Sequence, residues 1–344
     1  MKLHIVSESE FLIQGDGVHT AFVDHVELMK AKEHLDVVVN HRGNGDVFHS
    51  HTYGPYYFWK GLPYKGRRVL TVHVIPDSIK GSLPMWRLFM PFAKWYFKQV
   101  YSFADVCIAI SPGVADAIKA TGAKTEIVNI HNPIPTNKWR NSVEKRNLGR
   151  ELLGIDNDKF VVLGVGQLQG RKGVDDFVAV AKSLPQVQFV WAGGRPFKAM
   201  TEGVARIDKL IEMSPSNVKF AGMFDLDAMP LIYAAADMLL FPSFQENCPL
   251  APIEAAACGL PVVFRDLKEY RLLYEHPYLR GVTVYDFVNI TRRMMNDRKY
   301  YDNAAILSDN LVKQFDENRV REKLVDLYTT LQHNQLSKSI SLSI

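Results

Sequence analysis

The sequence predicts an α/β protein with two doubly wound parallel-sheet domains. Short apolar runs, typical of strands buried on both faces, alternate with segments whose apolar residues recur at helical spacing. This alternation stops in residues 131–159, which carry two prolines and dense charge, and then restarts. The chain has 344 residues, enough for two domains of ordinary size. We therefore expect a first domain over 1–135, a linker over 136–158, and a second domain over 159–316 that faces the first across a cleft.

In the first half, six apolar runs are predicted to be parallel strands, and helical patterns lie between most of them. Ligands of such sheets bind beyond the carboxyl ends of the strands, so the loops after each strand are where a site is expected. A final helical stretch, about 317–344, has no following strand and could pack back on the first domain. The predicted strands cover 3–6, 36–40, 46–51, 67–74, 104–111 and 125–130, and the clearest helices cover 20–32 and 112–122.

The second half repeats the pattern. Its helices, predicted over 174–184 and 231–237, separate further apolar runs. The strands are predicted over 160–167, 187–194, 218–222, 237–243, 261–264 and 281–285.

Composition excludes several classes of protein. The chain is 47% hydrophobic and 23% charged, as in ordinary folded proteins, and its net charge of +4 is too small to indicate nucleic-acid binding. Its three cysteines, Cys107, Cys248 and Cys258, lack metal-site spacing, which favours a reducing, cytoplasmic setting. The first residues lack the features of a signal peptide, and the sequence has no apolar run of 18 residues, so we expect no membrane span.

Two glutamates eight positions apart are the most informative feature. Glu254 follows Pro252 at the predicted start of a helix, where an acidic residue complements the helix dipole, and this alone would explain it. Glu246 lies in a loop directly after a buried strand and has no such explanation.

The surrounding sequence, FPSFQENCPLAPIEAAACGLPVV (241–263), resembles the E-x7-E signature of retaining glycosyltransferases of family 4, which have the GT-B fold. The resemblance implies that Glu246 contacts hydroxyls of a donor sugar and that Glu254 holds the ribose of a nucleotide. The helix that follows would offer its N-terminal amides to a diphosphate. The residues between the glutamates are assigned to the same donor site: Asn247, Cys248, Pro249 and Leu250.

The sequence GVGQLQGRKG (164–173) resembles the family's diphosphate-binding loop. Gly166 and Lys172 match, but Gln167 stands where the family carries an arginine. Arg171 could substitute for it, because a guanidinium chelates phosphate oxygens. We expect Lys172 and Arg171 to stabilise the leaving diphosphate.

Other positions match the family in the expected order. Gly15 and Gly17 resemble its glycine loop, and glycine allows close approach of the backbone to a ligand. His73, at the end of a predicted strand, matches its active-site histidine, whereas His49 and His51 are interpreted as architectural. The segments around Gly194 and Met223 resemble the glycine turn of the second domain and the segment over the nucleotide base.

The resemblance implies transfer with retention at the anomeric carbon. We favour a same-face mechanism in which the leaving diphosphate helps to deprotonate the acceptor. The donor is expected to be UDP-glucose or UDP-galactose, with no cofactor and no required metal. Asp225 and Asp227 form a D-x-D pattern, but their position just before a helix favours helix capping over metal binding.

A basic, aromatic stretch, residues 80–103, predicts a membrane contact. Lys80, Arg87, Lys94 and Lys98 would share one face of a helix, because intervals of 7, 14 and 18 residues are close to whole turns. The other faces carry aromatic residues that include Trp86 and Trp95, as in helices that lie in an anionic membrane interface. The alternative is a core helix whose lysines simply reach water.

The acceptor is suggested by residues 72–83, which resemble the diglucosyldiacylglycerol synthases of Gram-positive bacteria and mollicutes. These add a second hexose to monoglucosyl-diacylglycerol. We expect a cytoplasmic enzyme, peripherally bound to the inner face of the cell membrane, whose partners are a nucleotide sugar, anionic lipid and a glycolipid acceptor, without nucleic acid.

Two alternatives remain open from the sequence. The acceptor could be a soluble glycan or a lipid-linked cell-wall or capsule precursor. The protein could also bind nucleotide sugar or membrane without turnover, which the substitution at Gln167 would favour. A nicotinamide-dependent dehydrogenase is excluded, because GQLQGRKG does not supply the G-x-G-x-x-G spacing.

Overall fold

The computed structural model describes residues 1–12, 17–79, 86–194 and 204–341. These residues form two compact units. The first contains the described residues of 1–80, 85–133 and 315–344, and the second contains those of 134–314.

The first unit is built on a six-stranded parallel sheet with the strand order β2-β1-β3-β4-β5-β6. Its strands are β1 (Lys2–Val6), β2 (Asp36–Val39), β3 (Val47–Ser50), β4 (Arg67–Val72), β5 (Val106–Ala109) and β6 (Glu126–Asn129). Its helices are α1 (Ser9–Leu12), α2 (Gly17–Lys30), α3 (Pro55–Gly61), a 3-10 turn (Pro76–Ile79), α4 (Trp86–Phe103), α5 (Pro112–Ala120) and the C-terminal α15 (Glu317–Ser341).

Helix α15 belongs to the core of the first unit. Val320, Leu324, Tyr328 and Leu331 are buried against residues of β1, β3, β4 and β5. Their spacing of three and four residues places them on one face of the helix. The C-terminal helix of the chain therefore packs on one face of the first sheet.

The second unit repeats the architecture, with the strand order β12-β11-β10-β7-β8-β9, again all parallel. The two sheets confirm the α/β class predicted from the sequence. The strands are β7 (Val161–Val165), β8 (Gln188–Ala192), β9 (Val218–Gly222), β10 (Met238–Phe241), β11 (Val262–Arg265) and β12 (Leu279–Gly281). The helices are α6 (Thr136–Trp139), α7 (Val143–Leu153), a 3-10 turn (Gly170–Lys172), α8 (Val174–Lys182), α9 (Val204–Glu212), α10 (Met229–Ala235), α11 (Ala251–Ala257), α12 (Lys268–Leu273), α13 (Val284–Asn296) and α14 (Arg298–Gln314).

Residues 136–158, expected to be a linker, contain α6 and α7 and are part of the second unit. Helix α7 packs on α10 at Gly149, where a Cβ would lie 2.0 Å from the Leu231 carbonyl oxygen. The buried Arg150 adds hydrogen bonds to the Ala235 carbonyl (3.1 Å) and the Asp237 carboxylate (3.0 Å). The charge that suggested a solvated linker is thus partly internal to the fold.

The strand predicted over 281–285 is wrong in its position. Strand β12 ends at Gly281, and Val284 already begins α13. The Thr283 hydroxyl accepts a hydrogen bond from the Asp286 amide, and the Asp286 carboxylate accepts one from the Thr283 amide. This capping box fixes the start of the helix and overrides the strand preference of Val282 and Val284.

The capping role expected for Asp225 and Asp227 is not found. Helix α10 starts after Ala228, and no side chain caps it. Pro230 in the first turn has no backbone N–H, so one fewer amide of this turn needs an acceptor.

Arg150 supplies a test of how the second unit is held together. Besides the two bonds above, its guanidinium donates to the carbonyls of Asp156 (2.8 Å), Asn157 (2.8 Å) and Lys159 (3.1 Å). We predict that Arg150→Ala lowers the free energy of unfolding by about 3 kcal/mol in urea titrations, because it leaves buried acceptors without a donor. Arg298→Ala, which removes an exposed pair with Asp302, should change it by less than about 0.5 kcal/mol. Equal effects of the two substitutions would contradict this account.

Candidate functional site

Glycines allow the loops after β7 and β8 to touch. Gly166 and Gly193 have φ values of +143° and +140°, which L side chains rarely adopt. A Cβ on Gly193 would lie 2.0 Å from the Gly166 carbonyl oxygen. The same oxygen accepts a hydrogen bond from the Trp191 indole at 2.9 Å. The predicted donor residue Gly166 is therefore fixed by its neighbours on β8.

The loop after β7 is also tied to the loop after β10. Gly173, with φ +74°, lies so close to Pro242 that a Cβ would be 2.2 Å from the Pro242 carbonyl oxygen. The Phe244 amide donates to the Arg171 carbonyl at 2.7 Å, and Ser243 Oγ lies 3.2 Å from the same carbonyl oxygen. The two loops that carry Lys172 and Glu246 thus form one backbone assembly.

Lys172 and Glu246 form the centre of this assembly. The Lys172 ammonium lies 2.5 Å from Glu246 Oε1, and the Ser243 hydroxyl donates to the same oxygen at 2.6 Å. Both side chains are largely buried, with 14% and 9% of the surface exposed. Burial lowers the pKa of Lys172, and the nearby Glu246 opposes this shift. An ammonium and a carboxylate at one loop edge can bind a phosphate and a sugar hydroxyl respectively.

Arg171 and Gln167 lie on the same loop. The Arg171 guanidinium donates to the Gln169 side-chain oxygen at 2.8 Å, and the side chain is half-buried. Gln167 is also half-buried, and its carbonyl accepts from the Gln169 amide at 2.8 Å. Arg171 therefore contributes its carbonyl to the loop and its charge to the edge beside Lys172.

A second arginine near this loop was missed by the sequence reasoning. A Cβ on Gly170 would lie 2.7 Å from Arg206 Nη2, and Arg206 pairs with Asp175 at 2.5 Å. Arg206 lies on α9, and no motif in the sequence connects that helix with the loop.

Arg265, at the end of β11, was also missed. It donates to the carbonyls of Pro242 (2.9 Å) and Val282 (2.8 Å), pairs with Asp176, and lies 3.8 Å from the centre of the Phe244 ring. These contacts fix the loop that follows β10 to the end of β11. A charged residue at the carboxyl end of a buried strand was a signal that could have found it.

Glu254 lies in the first turn of α11, after Pro252 as predicted. Its carboxylate accepts a hydrogen bond from the Tyr233 hydroxyl at 2.7 Å. Burial raises the pKa of Glu254 to about 7, although the Tyr233 hydrogen bond and the charge of Lys138 act in the opposite direction. Burial therefore makes this carboxyl group easier to protonate than an exposed glutamate.

The residues between the two glutamates are mostly internal. Cys248, Pro249 and Leu250 are buried, and Asn247 is half-buried. Burial raises the pKa of Cys248 to about 12, with a further contribution from Glu246, so its thiol stays protonated. Thiolate chemistry at Cys248 is therefore not expected.

Gly194 and Met223 lie against each other beyond β8 and β9. A Cβ on Gly194 would be 2.6 Å from Met223 Cγ, and the Met223 side chain is 57% exposed. The Gly194 carbonyl accepts from the Leu168 amide at 3.0 Å. Met223 therefore exposes an apolar side chain directly after β9.

In the first unit, Gly17 is the first residue of α2, and Gly15 lies outside the described residues. His73 follows directly after β4, and its Nε2 lies 3.1 Å from His51 Nδ1. Burial lowers the pKa of His73 to about 4. His73 is therefore neutral at physiological pH.

Helix α4 has a buried face and an exposed face, and both carry aromatic residues. Phe97 and Tyr101 are buried, whereas Phe89, Phe92, Trp95 and the aliphatic Leu88 are each more than half exposed. The basic residues Arg87, Lys94 and Lys98 are exposed as well. Lys80 lies outside the described residues, and of Trp86 only the backbone is described.

Helix α3 and the residue that follows it also expose apolar side chains. Trp59 of α3 is 56% exposed, and Leu62, directly after α3, is 70% exposed. Phe58 of α3 contacts Tyr96 of α4, with ring centres 6.4 Å apart. The sequence reasoning did not identify Trp59 and Leu62 as exposed apolar residues. In the described part of the chain, no helix is both long and apolar enough to cross a membrane.

Family models match both halves of the chain. The model described as glycosyl transferases group 1 matches residues 159–293, and the model described as glycosyltransferase family 4 matches residues 30–138.

Curated relatives match along most of the sequence. The chain is 31% identical to the alpha-galactosylglucosyldiacylglycerol synthase of Streptococcus pneumoniae, over 95% of this chain and 89% of the relative. It is 24% identical to the processive diacylglycerol alpha-glucosyltransferase of Acholeplasma laidlawii, over 86% of this chain and 89% of that protein.

Solved structures show the same fold. Anabaena HepE in complex with UDP-glucose matches with a TM-score of 0.77 and 17% identity, over 96% of this chain and all of HepE. Sucrose-phosphate synthase of Thermosynechococcus elongatus matches with a TM-score of 0.78 and 18% identity, over 96% and 99% of the two chains. From the pneumococcal relative and both family models together, the chain belongs to glycosyltransferase family 4, and its two parallel-sheet units have the GT-B fold.

Proposed function

We propose that this protein is a hexosyltransferase that moves glucose or galactose from a UDP-sugar to a diacylglycerol glycolipid, such as monoglucosyl-diacylglycerol. The observation that carries the proposal is the pairing of Lys172 with Glu246 at the carboxyl edge of the second sheet. The same edge holds Glu254, and two relatives that match most of the chain are named as an alpha-galactosylglucosyldiacylglycerol synthase and a processive diacylglycerol alpha-glucosyltransferase.

The two glutamates would bind opposite ends of the donor. Glu254 would accept hydrogen bonds from the ribose hydroxyls, since its carboxylate already accepts from the Tyr233 hydroxyl. Glu246 would accept from hydroxyls of the transferred sugar. Gly166, Gln167 and Gly194 would line the donor with backbone, and Met223 would cover the base.

The diphosphate would be held by Lys172, with Arg171 beside it. In the free protein Lys172 is neutralised by Glu246, so binding of the donor exchanges one anionic partner for another. A dry ammonium next to the leaving oxygens would stabilise the charge that develops when the glycosidic bond breaks. We propose that these cations replace a metal ion in this role and that the anomeric configuration is retained.

The acceptor side is proposed to lie on the first unit. His73 is neutral and would act as a hydrogen-bonding group for the transferred sugar. The exposed aromatic and basic residues of α4 would hold this unit on an anionic bilayer, at the inner face of the cell membrane. Trp59 and Leu62 of the same unit are also exposed, and Arg42 stacks on Trp59 at 4.7 Å.

The transfer assay tests the proposed reaction. Labelled UDP-glucose and UDP-galactose are each offered with monoglucosyl-diacylglycerol in anionic vesicles, with and without a chelator. We expect a diglycosyl lipid with an α-linkage from one donor, unaffected by the chelator, and a loss of about 100-fold in Glu246→Gln. Glu151→Gln, an exposed glutamate of the same unit, is the matched control and should retain activity.

Other outcomes of this assay point to the alternatives. Slow hydrolysis of one donor without a labelled lipid would exclude this glycolipid as the acceptor and favour a soluble glycan or a lipid-linked cell-wall or capsule precursor. Donor binding without transfer or hydrolysis would indicate a protein that no longer catalyses the reaction.

The pKa of Glu254 predicts how donor binding depends on pH. Ribose hydroxyls that donate to the carboxylate favour its ionised form, so binding lowers a pKa that burial has raised to about 7. The dissociation constant of UDP-glucose, measured by calorimetry, should therefore be roughly tenfold higher at pH 6 than at pH 8, with protons released on binding. Glu254→Gln should bind more weakly and lose this dependence. A pH dependence that survives in Glu254→Gln would assign the titration to another group.

The membrane surface is tested by removing exposed aromatic side chains. Phe92 and Trp95 are 64% and 56% exposed, and their rings are 5.7 Å apart. We predict that Phe92→Ser with Trp95→Ser lowers binding to phosphatidylglycerol vesicles at least about tenfold, because insertion of two aromatic side chains is lost. Leu148→Ser with Leu152→Ser on α7, which are 47% and 53% exposed, is the matched control and should bind normally. Equal binding of both double variants in a flotation assay would show that the membrane contact does not involve Phe92 and Trp95.

A further inference from the structure

A continuous row of buried, hydrogen-bonded side chains runs through the first unit and ends at His73. The five hydrogen bonds between successive members have donor–acceptor distances of 2.6, 2.6, 2.9, 2.5 and 3.1 Å. We call it the histidine row; in spatial order its members are Thr71, His49, Tyr328, His25, His51 and His73.

Four different elements contribute to the histidine row. Thr71 and His73 lie on and directly after β4, and His49 and His51 lie on and directly after the neighbouring β3. Residues two apart on a strand face the same side, which brings these four together. His25 enters from α2, and Tyr328 enters from the C-terminal α15. The row therefore connects the last helix of the chain to the residue proposed to contact the sugar.

Burial keeps every imidazole of the row uncharged. Each member is at most 9% exposed. Desolvation lowers the pKa of His25 to about 3 and that of His73 to about 4, and it holds those of His49 and His51 well below the usual value. At neutral pH each ring therefore carries one N–H donor and one acceptor nitrogen.

This restricts the protons to two arrangements. Five contacts need five protons, and the four inner members supply one each, so one end must supply the fifth. In the first arrangement Thr71 donates to His49 Nε2, every proton points along the row, and His73 accepts at Nε2. In the second, His73 donates from Nε2, every proton is reversed, and Thr71 accepts. The tautomer of each ring is thus tied to that of the next.

We propose that the histidine row fixes the tautomer and ring orientation of His73, and that Tyr328, His25 and His51 are positioning residues for the transfer reaction. The role of His73 in transfer rests on the proposed function, whereas its coupling to the row rests on the hydrogen bonds alone. Loss of the Tyr328 hydroxyl would break the row in its middle. Two ring nitrogens, His49 Nδ1 and His25 Nε2, would then face each other without the group that orders them.

A metal ion is the competing explanation of the cluster. His25, His49 and His51 offer ligand atoms that lie within 4.8 Å of one another. Every nitrogen of these three rings nevertheless has a hydrogen-bond partner within the row, so the hydrogen bonding closes without a cation. Metal analysis of the purified protein decides between the two: a stoichiometric ion that is lost in His25→Gln would overturn the proposal.

Tyr328→Phe tests the effect on the reaction. We expect kcat for transfer to fall about tenfold, while KM for the UDP-sugar changes less than about twofold, because the proposed nucleotide contacts lie in the second unit. Tyr64→Phe is the matched control: this buried tyrosine donates to the Val47 carbonyl of β3 at 2.9 Å and lies outside the row. Equal values of kcat in Tyr328→Phe and Tyr64→Phe would overturn the positioning role.

Thr71→Val supplies a test that does not depend on activity. Without the Thr71 hydroxyl, a proton on His49 Nε2 would have no acceptor, and a buried unpaired N–H is rarer than an unpaired acceptor. The proton should therefore move to His49 Nδ1 and set the first arrangement, with His73 protonated at Nδ1. Long-range ¹H–¹⁵N spectra of histidine-labelled protein read this directly, with the His73 signals assigned by His73→Gln.

The results separate the inference from the proposed function. If wild-type protein transfers no sugar but the spectra show the expected His73 tautomer in Thr71→Val, the row stands and the enzymatic role falls. If transfer is normal and His73 is protonated at Nε2 in Thr71→Val, the enzymatic role stands and the row does not control His73.

Discussion

Lys172 lies against Glu246 with little of either side chain exposed, and the architecture around the site depends on keeping this ion pair together. An ammonium taken out of water needs a partner, because desolvation alone would favour its neutral form. The partner comes from a different loop, so the two loops must approach at backbone distance. Gly173 against Pro242 makes that approach possible, since a Cβ would lie 2.2 Å from a carbonyl oxygen. Gly193 does the same between the loops of β7 and β8. The backbone sets the geometry, and few side chains are needed.

The first unit differs in that it buries neutral polar side chains inside its core. Four imidazoles and two hydroxyls are buried beside apolar strand residues, which is tolerable only when each polar atom finds a partner. Within the histidine row, both ring nitrogens of His25, His49 and His51 meet this condition through side chains alone. Such a network has few alternative arrangements, so it carries information about proton position over several residues. It also makes α15 more than a cover for the sheet, because Tyr328 bonds to both His25 and His49.

Local patterns predicted what depends on neighbours in sequence. Strand and helix periodicity located nearly every strand, and the spacing around Glu246 and Glu254 identified the family that both family models and the pneumococcal relative support. The contacts that complete the site were out of reach, because their partners are distant in sequence. His49 and Tyr328 are 279 residues apart, and Arg265 reaches Asp176 across 89 residues. The partners of Arg150 were out of reach for the same reason: the Asp237 carboxylate and the Ala235 carbonyl are more than 80 residues away.

Exposed apolar residues alone do not identify a membrane surface. Helix α7 also exposes Val143, Leu148 and Leu152, but two of its five charged residues, Glu144 and Glu151, are acidic. Helix α4 differs in kind, because residues 86–103 contain three basic residues and no acidic one, and the exposed apolar side chains include Phe89, Phe92 and Trp95. Aromatic rings prefer the interfacial depth of a bilayer, and unbalanced positive charge is stabilised by anionic headgroups. In water both features cost free energy, through exposed aromatic surface and mutual repulsion. Contact with an anionic membrane interface, as proposed, would relieve both costs.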